Sequence, residues 1–314
     1  MTPDYHAALT GAALFDPQVR PVELIGPDAA QFLHNICTND IKALPVGGGC
    51  EAFLCDARAK ALFALWVART ADGLVLTTSP GRADALFAYL DRFLISERVE
   101  LAVRSDQVGL HLAGPMAGVL VGADDLAGYH HAERDLGGAT VRVRRFDRLG
   151  VPGFDLILPR AAEEAVASAL FAAGAVAGES AFDTLRIEAG TPSYGVDYDD
   201  TRFVMEVGGA ARAVSYTKGC FPGQEPIVMA RDRAGRVNRQ FLGLKGLTDA
   251  VPTPGAKLTR DSKEVGLVTS ATRSPRLGAP LALGYVHWQH VERGTVLDAD
   301  GVPVEVLGYP PLGP

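Results

Sequence analysis

The chain has 314 residues, enough for two domains or three small ones, and at this length the core needs no disulfide or metal staple. A composition of 47% hydrophobic, 21% charged and 7% aromatic residues excludes disorder and collagen-like repeats. Two of the longest weakly polar stretches, 61–68 and 165–178, fall short of the ~20 residues of a membrane span, and a net charge of −7 argues against bulk binding to nucleic acid or anionic membrane.

In chain order, the opening Met1-Thr2-Pro3-Asp4-Tyr5-His6 lacks the basic region of a signal peptide, so a cytoplasmic location is expected. A strand at about 19–25 runs through Gly26-Pro27-Asp28 into a helix with Ala29, Phe32, Leu33 and Ile36 on one face. The same strand, Gly-Pro, helix pattern returns 88 positions later at Gly114-Pro115, with Ala117 and Leu120 matching Ala29 and Phe32. This weak repeat suggests two related α+β lobes. Between the copies lie a hairpin around Ala71-Asp72-Gly73, a helix with Leu86, Phe87, Leu90 and Leu94 on one face, and a strand at 99–103. Strands at 140–146 and 154–158 and helices at 161–173 and 181–188 follow. From Gln240 short strands alternate with proline and glycine turns, which predicts a small β-barrel with its boundary at 239/240.

Two stretches carry candidate chemistry. Lys218-Gly219-Cys220-Phe221-Pro222-Gly223-Gln224-Glu225 is a loop by its glycines and proline, and it leaves Cys220 accessible. Lys218 and nearby arginines are placed to favour a thiolate there, fitting a nucleophile, a redox group or a metal ligand. A glycine-rich turn around a small buried side chain is the competing reading. In the second stretch, Glu188 falls near a helix C-terminus, where the dipole disfavours a carboxylate. That suits either a ligand role, such as holding the N–H edge of a pterin or guanine, or a salt bridge to a neighbouring arginine.

The segment 212–239 contains Arg212, Lys218, Arg231, Arg233, Arg236 and Arg239 against Glu225 and Asp232, a local +4 that leaves the remainder at −11. Such a patch suits a small anionic ligand, with a solvated arginine loop as the alternative. Of the four cysteines, Cys37, Cys50 and Cys55 read as packing residues. Tyr129-His130-His131-Ala132-Glu133 is a weak metal candidate, and Gly47-Gly48-Gly49 lacks the Lys-Ser/Thr of a phosphate loop, so no metal is assigned.

Together these stretches resemble the YgfZ family, folate-binding proteins related to the aminomethyltransferase (T-protein) of the glycine cleavage system. The 218–225 run is similar to its signature K-G-C-[FY]-x-G-Q-E. Phe32-Leu33-His34-Asn35-Ile36-Cys37-Thr38-Asn39-Asp40 and Arg186-Ile187-Glu188-Ala189-Gly190 followed by Tyr194-Gly195 look like its N-terminal and central patterns. The resemblance implies an α+β, three-lobed arrangement: two intertwined ferredoxin-like lobes over 1–239 that bind folate, and a C-terminal barrel over 240–314.

It further implies tetrahydrofolate as cofactor, and iron–sulfur client enzymes and assembly proteins as partners, with tRNA modification among the processes served. Glu188 would hold the pterin, and Gln224 and Glu225 would also bind the cofactor. Lys218 and Cys220 would be the working pair. Some of Arg231, Arg233, Arg236 and Arg239 would meet the folate carboxylates. Aminomethyltransferases carry an aspartate pair in G-[IV]-[LM]-D-D. In the matching run Phe63 and Ala64 stand there, and an apolar side chain cannot orient or deprotonate an amine. Whether the protein is an enzyme stays open. Three functions are therefore carried: folate-dependent iron–sulfur maintenance through Cys220, a folate-dependent aminomethyltransferase or demethylase, and a non-catalytic folate-sensing scaffold.

Overall fold

The computed structural model describes residues 1–234 and 237–313, the side chains of Arg233 and Ala234 excepted. Its strands form three sheets. The first has five strands in the order Gly49–Cys55, Ala61–Arg69, Gly73–Thr77, Val22–Ile25, Glu100–Val103. The second has six, in the order Val176–Ala177, Ala13–Val19, Gln107–Ala113, Gly153–Pro159, Ala139–Arg145, His131–Leu136. The third is a closed six-stranded barrel beginning at Arg239–Gly246 and ending at Val302–Gly308. This is the expected α+β, three-lobed arrangement.

The single strand expected at 19–25 is two. Ala13–Val19 pairs into the second sheet and Val22–Ile25 into the first, so the chain changes lobe at Arg20-Pro21. Pro21 has no N–H for a ladder, and the handover falls where pairing must stop anyway. The two lobes are intertwined because this N-terminal segment serves both.

Each lobe covers one face of its sheet with two helices. Phe32, Leu33 and Ile36 of Ala29–Ile36 and Leu86 and Leu90 of Ala83–Asp91 bury against Leu24, Leu65 and Leu76. Val121 of Ala117–Val121 and Val166 and Leu170 of Glu163–Ala172 do the same against Leu112, Val143 and Leu156. The Gly-Pro repeat has a structural counterpart. Gly26 and Gly114 both adopt φ near +135°, and a Cβ on either would meet a backbone oxygen at 2.1 or 2.3 Å. Only glycine satisfies both conditions, so each copy turns from strand to helix by the same device.

The N-terminal helix is not among the expected elements. Pro3–Thr10 is a helix, and it secures the helix Ala181–Ala189 at both ends. Buried Asp4 accepts the N–H groups of Glu179, Ser180 and Ala181 at 2.8–2.9 Å, at the N-terminus where an anion is favoured. Tyr5 reaches the last turn, at Glu188. The barrel is tied to the same helix. Arg186 pairs with buried Asp197 at 2.7 Å, and Asp197 accepts the hydroxyls of Thr269 and Ser270 from the barrel strand Lys263–Ser274.

Candidate functional site

The three lobes converge on a cavity of about 360 Å³, within the range of small-molecule sites. The first sheet turns one face towards it. Glu51 pairs with Trp66 and Phe53 with Ala64 across adjacent strands, and all four line the space. Phe146 and Arg148 come from the second lobe, Glu188 from the helix Ala181–Ala189, and Tyr309 from beyond the last barrel strand. Trp66 and Tyr129 lean on Phe146 with ring centroids 5.6 and 5.7 Å apart and planes tilted by 48° and 37°, forming an aromatic wall.

Glu188 is only 1% exposed, yet no Lys or Arg ion pair is found for it among the described residues. Tyr5 Oη donates to its two oxygens at 2.8 and 2.7 Å, Ser274 Oγ donates to Oε1, and the Arg276 N–H approaches Oε1 at 3.4 Å. These donors offset the unfavourable helix terminus. Three of these contacts fall on Oε1 and one on Oε2, so Oε2 retains accepting capacity. Burial and the adjacent carboxylate both push the Tyr5 hydroxyl well above the ordinary tyrosine range, so it stays a donor.

A second carboxylate, Glu51, faces the same space. Tyr129 Oη donates to Oε1, and Arg212 donates Nε to Oε1 at 2.7 Å and Nη2 to Oε2 at 3.5 Å. Asn39 fixes this pair from behind. Its Nδ2 donates to the Glu51 and Arg212 carbonyls at 2.7 and 3.1 Å. Thr38 Oγ1 donates to the Ala213 carbonyl at 2.6 Å and accepts the Phe53 N–H at 2.8 Å. The Thr38-Asn39 pair thus staples the strand Gly49–Cys55 to the helix Ala210–Ala213.

On the second lobe a single buried carboxylate serves three partners. Asp155 receives Arg148 Nη2 at 2.8 Å to both oxygens, Arg144 Nη2, and His111 Nδ1 at 2.9 Å. Burial lowers the His111 pKa below the ordinary imidazole value, so the ring is neutral at neutral pH and donates to Asp155.

The 218–225 loop lies elsewhere. Buried Lys218 turns its ammonium onto the His34 and Cys37 carbonyls, the latter at 2.5 Å, and lies 4.8 Å from the Phe221 ring centroid. It satisfies carbonyls at the C-terminus of the helix Ala29–Ile36, where a cation is favoured. The Lys218 ammonium is thus held by backbone oxygens, and no contact between it and the Cys220 thiol is found among the described residues. Cys220 is exposed as expected, while Cys37 and Cys55 are buried and Cys50 half-buried. Neither Cys220 nor Lys218 lines the cavity, and neither do Gln224 and Glu225 at the start of the helix Gln224–Met229.

Arg231 pairs with Asp232, stacks 4.3 Å from the Tyr216 centroid, and lines a second cavity of about 520 Å³ that shares Arg212 and Tyr309 with the first. Arg239 is exposed at the first barrel strand. Arg236 and the side chain of Arg233 lie outside the described residues. Of the two positions compared with the aspartate pair, only Ala64 faces the cavity. Phe63 packs in the first lobe's core, with the Arg82 guanidinium 4.6 Å from its ring centroid.

Comparison with known proteins places this architecture. The family model described as "GCVT N-terminal domain" matches residues 1–218, and "Glycine cleavage T-protein C-terminal barrel domain" matches residues 239–310. The chain belongs to the glycine cleavage T-protein family. An aminomethyltransferase of Saccharopolyspora erythraea is 31% identical, covering 98% of this chain and 88% of that protein. A probable aminomethyltransferase of Natronomonas pharaonis is 30% identical over 94% of this chain and 84% of its own length. The crystal structure of glycine cleavage system aminomethyltransferase T from Bartonella henselae superposes with a TM-score of 0.87 at 25% identity, covering 99% of this chain and 88% of that one.

The T-protein framework therefore spans both α+β lobes and the barrel. Glu51, Arg148, Arg212 and Tyr5 are the site residues that sequence reasoning passed over. In the sequence Arg212 stands out only as one charge of the basic segment 212–239. Glu51 had a weak signal, alternating with Phe53 along a strand.

Proposed function

We propose that this T-protein family member binds a reduced folate in the central cavity and handles a one-carbon unit carried on an amine, in the manner of an aminomethyltransferase. The observation that carries the reading is Glu188, a buried carboxylate without a cationic partner among the described residues, held by Tyr5 and Ser274 at the wall of a cavity shared by all three lobes. Burying such a group is costly unless its hydrogen-bonding capacity is filled. Two parallel N–H donors on a planar heterocycle would fill it. The aromatic wall of Trp66 and Phe146 suits the face of the same ring, so the residues present fit a pterin.

When bound, tetrahydrofolate supplies the nitrogen that accepts a one-carbon unit. The chain's own residues orient and exclude. Glu188 fixes the ring edge, the aromatic wall keeps water from its face, and Glu51 offers the accepting carboxylate on the face where Ala64 has none. A tetrahydrofolate titration combined with turnover of an aminomethyl donor tests this. Saturable binding with transfer supports it, and no transfer from any donor removes the enzymatic half.

A second reading, folate-dependent iron–sulfur maintenance of the YgfZ type, is favoured by the apolar Ala64 and by exposed Cys220. In it the client enzymes, assembly proteins and tRNA modification named by the resemblance are the partners and process served. Deleting the gene and assaying cluster-containing enzymes separates the two. Lost activities that Cys220→Ala fails to rescue favour this reading, and normal activities exclude it.

A further inference from the structure

The cations around the cavity are not equally matched. Arg145 has Asp147 at 2.7 Å and Arg212 has Glu51 at 2.7 Å, each pair one to one. Arg144 and Arg148 share the single carboxylate of Asp155, beside a neutral His111. Two buried charges thus have one carboxylate between them; Arg276, the other cavity-lining arginine without an ion pair among the described residues, is exposed to solvent. The Arg144 and Arg148 guanidiniums are both more than nine-tenths buried. Of the two, Arg148 lines the cavity. Its Nε is buried with no partner among the described residues. Its Cζ lies 5.1 Å from the Trp66 centroid and 4.9 Å from that of Phe146, within the aromatic wall. A buried guanidinium with unused donors beside an open space is complementary to an acceptor on whatever fills that space.

Arg148 and Glu188 belong to abutting walls. Thr191 Oγ1 donates to the Arg148 carbonyl at 2.6 Å, and a Cβ on Gly150 would sit 3.1 Å from that of Ala189. The cavity therefore offers an acceptor carboxylate and a donor cation on adjoining surfaces, next to a ring-stacking wall. The complementary ligand edge has two N–H donors followed by a carbonyl. We propose that Arg148 is a specificity-determining residue of this cavity, donating to the ring carbonyl of a 2-amino-4-oxo pteridine whose N–H edge is held by Glu188. This rests on the folate reading above and names which folates the site accepts. Asp155, with His111 and Arg144 behind it, is the positioning group that holds Arg148 in place.

The test is titration of the full-length protein with tetrahydrofolate and with 4-amino-4-deoxytetrahydrofolate, in which the carbonyl acceptor becomes an amino donor and the neighbouring ring N–H is lost; Glu188 senses the second change in every variant, so the share of the preference that Arg148 substitution removes is the readout. Wild type is expected to prefer the oxo compound by about 10-fold or more, as for a hydrogen bond to a charged group left without its acceptor. Arg148→Gln is expected to reduce that preference by about 10-fold. Arg148→Lys keeps a buried cation for Asp155, draws its single ammonium to that carboxylate, and is expected to reduce the preference as the Gln variant does while staying folded; it decides the matter if the Gln variant does not fold. Equal binding of both compounds by wild type, or an unchanged preference in a folded variant, overturns the role of Arg148 and leaves the folate reading standing. No binding of either compound by wild type sinks the folate reading and this inference together.

Discussion

Replacing Asp155 with Asn tests the buried cluster that frames the site. The substitution keeps the shape and removes the one carboxylate that forms ion pairs with Arg144 and Arg148 among the described residues. Breaking a buried ion pair from one side costs about 3–5 kcal/mol, because the remaining charge stays desolvated. Against a total stability of about 5–15 kcal/mol this is a large fraction. At roughly 2–4 °C per kcal/mol, the melting temperature should fall by about 6–20 °C, read by far-UV circular dichroism.

The same residue fixes a pH dependence. Burial alone would raise the Asp155 carboxyl, but Arg148, Arg144 and the His111 hydrogen bond outweigh it and hold the group far below the ordinary carboxylate range. A depressed folded-state value means the contribution is complete above the unfolded value, near 4, and is lost as pH falls from there towards the folded one. Wild type should therefore lose more stability between pH 5 and pH 2 than Asp155→Asn does. A loss below about 1 kcal/mol at pH 7, or parallel acid slopes in the two proteins, would refute the reasoning.

Other outcomes follow from the same contacts. Burial pushes the thiols of Cys37 up to about 11 and of Cys50 and Cys55 up to about 12, so iodoacetamide at pH 8 should label one thiol per folded chain, Cys220; mass spectrometry showing a second at a similar rate contradicts this. Asn39→Ala leaves the Glu51 and Arg212 carbonyls without their shared donor and should cost about 1–3 kcal/mol in a urea melt, with a change under a few tenths counting against the staple. Asp4→Asn removes the anion at the start of the helix Ala181–Ala189 and should cost about 1–2 kcal/mol; an unchanged midpoint would mean that the three N–H groups find other acceptors.

What the sequence made legible was local. The barrel was announced by regular turn residues, the paired lobes by the repeated Gly-Pro, and Glu188 by the conflict between a carboxylate and a helix C-terminus. What it hid was long-range. Tyr5 lies 183 positions from the carboxylate it serves, and no pattern near residue 5 records that contact. Arg148 gains its meaning from sharing Asp155 with Arg144, which needs the register of Ala139–Arg145 against Gly153–Pro159. The strand Gly49–Cys55 is obscured in the sequence because it begins in the Gly47-Gly48-Gly49 run, which reads as a failed phosphate loop, and its cysteines read only as packing residues. Lys218 stands two residues from Cys220 in sequence, but the helix Ala29–Ile36, packed close in space, claims its charge.

The central claim is that a reduced folate occupies the cavity with its pterin edge on Glu188. Trp66 lines that cavity and is one of only two tryptophans, so its fluorescence reports occupancy. The direct measurement is a tetrahydrofolate titration of wild type and Glu188→Gln. The account predicts saturable binding by wild type and a weakening of about 30-fold or more in the variant, the effect of losing a charged, paired hydrogen bond. No saturable binding by wild type, or equal affinity in the two proteins, would contradict it.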